Sequence, residues 1–170
     1  MQAILEQTQA ADVNIQESAC SSMAQTFQTM AAMESEELLT TKLLPLVLPI
    51  LNSFTAVVDR LRGAALISMF DCVGTLAEVL GQRLQSQQVV DVLMPLLSRK
   101  WQTLDDSDKQ LLPLFECFEQ VIAVLGEDFL TLHIQPIYER CTRVLQGVLT
   151  AVRADPRDGW AQKDALFLRA

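Results

Sequence analysis

Residues 66–81 read LISMFDCVGTLAEVLG, and residues 111–126 read LLPLFECFEQVIAVLG. Aligned without a gap, they agree at Leu66/Leu111, Phe70/Phe115, Cys72/Cys117, Val79/Val124, Leu80/Leu125 and Gly81/Gly126. Each also sets an acid, Asp71 or Glu116, between the matched Phe and Cys. A second set of matches interleaves with the first: LVLPIL at 46–51, VLMPLL at 92–97 and HIQPIY at 133–138 share a proline among apolar residues. Two kinds of segment therefore alternate along the chain. The first kind recurs after 45 residues and the prolines Pro49, Pro95 and Pro136 after 46 and 41, within the period of roughly 40–47 residues that marks HEAT and armadillo arrays.

Apolar residues recur at helical spacing throughout, and no stretch of strand length alternates with period two. The fold class expected is all-α: one α-solenoid of HEAT repeats over residues 1–170, with repeats near 1–31 (partial), 39–82, 87–126 and 130–170 (partial). The coarse map places helices at 2–9, 14–31, 39–58, 61–82, 87–104, 107–126 and 130–153, with a last start near 161. Breaks fall at Ala11-Asp12, Glu34-Ser35-Glu36, Asp59, Gln85-Ser86, Asp105-Asp106 and Asp155-Pro156, where caps and turn residues cluster. Pro49, Pro95 and Pro136 are expected to kink the first helix of each pair, because an interior proline removes a hydrogen bond and crowds the preceding turn. The chain opens on a helix tail and stops at LFLRA, an apolar run without a cap. It is therefore expected to be an excised piece of a longer array, whose neighbours bury the end faces.

Half of the 170 residues are hydrophobic, enough for a substantial core and against disorder. The formal charge is -8, from 13 basic and 21 acidic residues, which argues against a nucleic-acid surface and favours basic partners. The four cysteines, Cys20, Cys72, Cys117 and Cys141, stand apart inside apolar runs without a C-x-x-C pair, the pattern of buried thiols in a reducing compartment. The longest apolar run, LLPLVLPIL at 43–51, holds two prolines and is about half the length of a membrane span. No membrane segment is expected, nor a signal peptide in residues 1–20. Cytosol or nucleus is the default location.

At 100° per residue with Asp71 at zero, Thr75, Glu78 and Ser68 fall within about 60° of it, and Val73, Leu76, Ala77 and Leu80 lie opposite. In the matching segment Glu116 takes the zero position, flanked by Gln120 and Glu119. Like helices of a solenoid pack side by side with equivalent positions facing the same way, so Asp71 and Glu116 are expected next to each other on one surface. Glu78 follows Asp71 by roughly 10 Å along the same helix. Counter-charges are scarce: Arg83 is the only cation between Gly63 and Leu84, and none lies between Lys109 and Arg140. Such a strip repels itself unless cations come from elsewhere. The plain alternative is an ordinary solvated helix face.

No enzyme is expected. The only histidine, His133, sits in an apolar helix start, and no phosphate loop, metal-ligand cluster or nucleophile–base pair can be assembled. No metal or other cofactor is implied. Trp101 and Trp160 suit core or rim positions, and Asp105-Asp106-Ser107-Asp108 suits a helix cap.

The segments NIQESAC (14–20), DCVGTLAEVLG (71–81), VLMPLLSRKWQTLDDSDKQLLPLFECFEQV (92–121) and PIYERCTRVLQ (136–146) closely resemble the middle of the transportins, or karyopherins β-2, of the importin-β superfamily. The likeness runs from about residue 12 to the end of the chain and covers about a fifth of such a receptor. It implies a nuclear import receptor that shuttles between cytoplasm and nucleus. Such a receptor takes cargo proteins by basic, extended signals of the proline-tyrosine type on an acidic concave surface, releases them to RanGTP and meets nucleoporins; neither nucleic acid nor membrane is a direct partner. It further implies that Asp71, Thr75 and Glu116 match cargo-contacting residues, and that Glu78 stands where an aspartate is usual. Glu119 and Gln120 are possible additional contacts. The sequence departs from the family where the turn from Gln28 to Lys42 is longer and FQTM replaces acids. The proline-tyrosine pocket and the Ran-binding arch are expected upstream of Met1. A HEAT scaffold that organises other proteins, of the phosphatase regulatory subunit type, shares the period and is the alternative; the acidic strip separates the two.

Overall fold

The computed structural model describes the backbone of residues 2–33 and 35–154, and their side chains except those of 2, 127–134 and 154. Its helices are α1 (Gln2–Thr8), α2 (Val13–Ala32), α3 (Glu36–Leu38), α4 (Val47–Val57), α5 (Gly63–Leu80), α6 (Gln87–Thr103), α7 (Leu111–Leu125) and α8 (Glu127–Ala154), and no strand occurs among the described residues. The start expected near 161 and Trp160 lie outside them. Three of the foreseen breaks carry side-chain caps, which satisfy amides that the first turn leaves without partners. Asp12 accepts from the Asn14 amide at 2.8 Å, Ser35 from Leu38 at 3.3 Å and Ser86 from Val89 at 3.4 Å.

Besides α8, which starts at Glu127 rather than 130, two boundaries differ from the sequence map by three residues or more. Helical structure resumes at Glu36 rather than 39 and reaches Val57 through a π turn (Leu39–Leu43) and a 3-10 turn (Leu44–Leu46). The departure from a regular ladder thus lies upstream of Pro49. Pro45 sits inside the 3-10 turn and has no N–H to donate, whereas Pro49 is the third residue of α4, just past that turn. Pro95 and Pro136 do lie inside α6 and α8. The second difference is α7, which starts at Leu111, not 107. The aspartates before it do not cap it: Asp105 accepts from the Ser107 amide and hydroxyl at 2.9 and 2.7 Å, and Asp108 from the Gln110 amide at 2.8 Å. Pro113 then occupies the third helical position, which fixes the first turn at no cost in hydrogen bonds.

The chain divides into two units, residues 1–126 and 127–170. In the first, α2, α5 and α7 form one layer with α5 packed between the other two, and α1, α4 and α6 form the second with α4 between its neighbours. This alternation of two helix types is the HEAT-type α-solenoid that the repeat implies. Eleven of the eighteen α5 residues are buried, because a helix flanked on both sides needs an apolar surface nearly all round. The same arrangement corrects the estimate of apolar length taken from 43–51 alone. Glu36–Val57 and Gly63–Leu84 are each long and apolar enough, by length and composition, to cross a membrane, and 61% of the Gly63–Leu84 window is buried in the packed structure. Phe27, Phe54, Phe70, Leu66 and Met69 fill the core. Trp101 joins them, edge-on to Phe115 and Phe118 with both ring centroids at 5.4 Å.

Two glycines of the repeat end their helices in backbone conformations that side chains disfavour. Gly81 has φ 53° after α5, and Gly126 has φ 82° after α7; without a Cβ both turns form free of steric penalty. In the second unit, α8 carries a Gln135–Glu139 side-chain hydrogen bond of 2.9 Å one turn apart. His133 falls among the α8 residues whose side chains are not described.

Candidate functional site

A groove of about 290 Å³ runs between α5 and α7, lined by Ile67, Phe70 and Asp71 from one helix and by Pro113, Glu116, Cys117, Glu119 and Gln120 from the other. Asp71, Glu116 and Glu119 are exposed, and none forms an ion pair with a described residue. The repeat explains the juxtaposition, since equal positions of adjacent like helices face the same way. Arg83, the only cation of its region, is engaged elsewhere: its Nη2 reaches both carboxylate oxygens of Glu36 at 2.5 Å. Three carboxylates thus share one groove with apolar walls, and no described cation neutralises them.

Glu78 lies outside this groove but is tied to it. The Gln120 amide nitrogen donates to Glu78 Oε1 at 2.8 Å, so the side chain crosses from α7 to α5. The crossing passes over Gly74: a Cβ built there would stand 1.6 Å from Gln120 Oε1. Sequence reasoning missed Gly74. Its signal was available, because a glycine inside a helix costs about 1 kcal/mol relative to alanine and asks for a packing reason.

Thr75 departs from the helical-wheel placement. It is 5% exposed and does not line the groove, because α5 is covered from both sides. The other threonines of residues 2–126 donate to backbone carbonyls, whereas Thr75 has no hydrogen-bond partner among the described residues. Since no described polar side-chain atom is both sealed and unpartnered, its hydroxyl keeps a small opening to solvent.

Beneath the acids lie thiols. Cys20, Cys72 and Cys117 are buried, one on each helix of the layer, and Cys141 is partly exposed. Desolvation pushes Cys20 up to about 12 and holds the Cys72 and Cys117 thiols well above the usual range, with the Asp71 carboxylate adding to both. They are poor nucleophiles and poor ligands. Among the described residues no three His, Cys, Asp or Glu side chains are grouped to hold a metal ion.

Two alternating layers of helices, with an acidic groove between α5 and α7, place the chain in the class of HEAT-type helical-repeat proteins. No family model matches the chain. It is 33% identical to Transportin-1 of Homo sapiens over 149 residues, 88% of this chain and 16% of that protein. It is 33% identical to Transportin-1 of Oryza sativa subsp. japonica over 154 residues, 91% and 16%. Against Importin subunit beta-2 of Schizosaccharomyces pombe the identity is 27% over 169 residues, 98% and 18%. The chain belongs to the transportin family of the importin-β superfamily. It spans about a sixth of the length of these relatives.

Proposed function

We propose that this chain forms part of the cargo-binding surface of a nuclear import receptor, one that moves between cytoplasm and nucleus and takes extended basic signals into the groove between α5 and α7. The observation that carries the reading is the meeting of Asp71, Glu116 and Glu119 in one groove without a described counter-ion. Ile67, Phe70 and Pro113 supply apolar walls for the aliphatic stems of arginine and lysine. The Thr75 hydroxyl, outside the groove lining and without a described partner, offers one further polar contact. Release by RanGTP, the proline-tyrosine specificity and contact with nucleoporins belong to the same reading and draw on family membership alone.

Exposed ion pairs are each worth about 0–1 kcal/mol and fade with salt, so affinity accumulates over several contacts. Asp71→Lys with Glu116→Lys tests this. Titrated by NMR with an extended arginine-bearing peptide, the double variant should lose binding at low ionic strength, while wild type and variant converge at high salt. Equal affinity at low salt, with intact helices by circular dichroism, refutes the reading and leaves an ordinary solvated helix face.

A further inference from the structure

Gln120 and Gly74 make an arrangement that neither helix makes alone. Gln120 lines the acidic groove, lays its carbonyl oxygen in the gap left by the absent Gly74 side chain and donates its amide to Glu78 Oε1 at 2.8 Å. An exposed glutamate otherwise samples many rotamers; this one is held by one oxygen while the other stays open to solvent. Glu78 is also alone, because α7 has Ala123 at the matching position. The surface therefore carries two anionic places: a groove with Asp71, Glu116 and Glu119, and beyond the glutamine a single fixed carboxylate.

We infer that Gln120 is a positioning residue which, seated over Gly74, fixes Glu78 as a second anionic subsite and thereby sets the spacing of cations that the surface accepts. The inference rests on the cargo-binding reading above. Asp71 and Glu78 are about 10 Å apart along α5, and an extended peptide advances about 3.3–3.6 Å per residue, so cations about three residues apart match the two places. Held in position, Glu78 rewards that spacing; released, it follows a cation over a wider arc and the reward disappears.

Two substitutions release Glu78 by different routes. Gln120→Ala removes the crossing side chain. Gly74→Ala leaves Gln120 and Glu78 in place, but its methyl takes the seat of the amide, which swings away as the far end of a flexible chain; α5 itself gains helix propensity. The chain is titrated by NMR at low salt with three peptides of glycine and serine carrying two arginines three residues apart, two arginines six residues apart, or one arginine. Wild type should prefer the three-residue spacing by up to about five-fold, the ceiling for one exposed ion pair. Both variants should bring that ratio near one and keep the wild-type circular dichroism spectrum; Gly74→Ala, whose position lies outside the groove lining, should also leave the affinity for the single-arginine peptide unchanged. A ratio near one in wild type, or a ratio unchanged in either variant, overturns the inference. If Asp71→Lys with Glu116→Lys still abolishes single-arginine binding in that case, only the positioning role fails; if it does not, the cargo-binding reading fails as well.

Discussion

The Lys100 ammonium donates to the Leu61 carbonyl at 3.1 Å, in a place where the lysine is only 2% exposed. It ties α6 to the turn after α4 and satisfies a carbonyl that follows a helix end. Desolvation, with the nearby Arg62 charge, lowers its pKa from 10.5 to about 8, although Asp59 and Asp108 pull the other way.

A pH dependence of known sign follows. Below pH 8 both folded and unfolded states carry the lysine proton, and the folded state bears the full cost of a buried charge. Between about 8 and 10.5 the unfolded chain binds more protons than the folded one, so this group's contribution to stability improves as pH rises. The buried cysteines act oppositely above about pH 9, because unfolded thiols ionise there and folded ones do not. The lysine is isolated by difference: the stability of wild type relative to Lys100→Met should rise by on the order of 1–3 kcal/mol from pH 8 to 10.5 in urea titrations. A difference that stays flat over that range would show that Lys100 titrates as in water.

The thiols make a second test. With iodoacetamide at pH 8, Cys141 should be labelled well before Cys20, Cys72 and Cys117, whose burial suppresses both access and the thiolate. Mass spectrometry after a timed quench reads the order. Labelling of Cys72 or Cys117 as fast as Cys141 would contradict the packing of α5 against its neighbours.

Replacing Gly81 or Gly126 by alanine should each cost about 1–3 kcal/mol, because the φ values of 53° and 82° strain any side chain although both sites have room for a Cβ. Gly147, which has a negative φ and open space, should tolerate alanine or gain from it. Thermal melts of the three variants separate strain from crowding.

The 45-residue recurrence made the two-layered architecture and the acid slot legible, since a helical wheel and a period together say which residues share a face. What it could not supply was the other side of each contact. Thr75 fell in the polar wedge on paper, yet α5 has neighbours on both flanks and the residue is buried. The aspartates before α7 suited a cap by composition, but their oxygens are taken by Ser107 and Gln110 within the loop. Arg83 engages Glu36, 47 positions away, and Gln120 reaches Glu78 over a missing side chain 46 positions away. Such long-range pairs depend on side-chain reach, which no local pattern encodes.

The placement of α5 between α2 and α7 also bears on mechanics. Tension along the layer crosses the α2–α5 and α5–α7 seams in series, so their compliances add and small slips at each sum into a large change in curvature. Among the described helices of this layer, α5 packs against a neighbour on each side, so its amides should be the last of the three to exchange with deuterium. The acids stand at one of these seams: a peptide bridging Asp71 and Glu116 would stiffen the joint it occupies, and flexing of the joint would in turn alter its hold on the peptide.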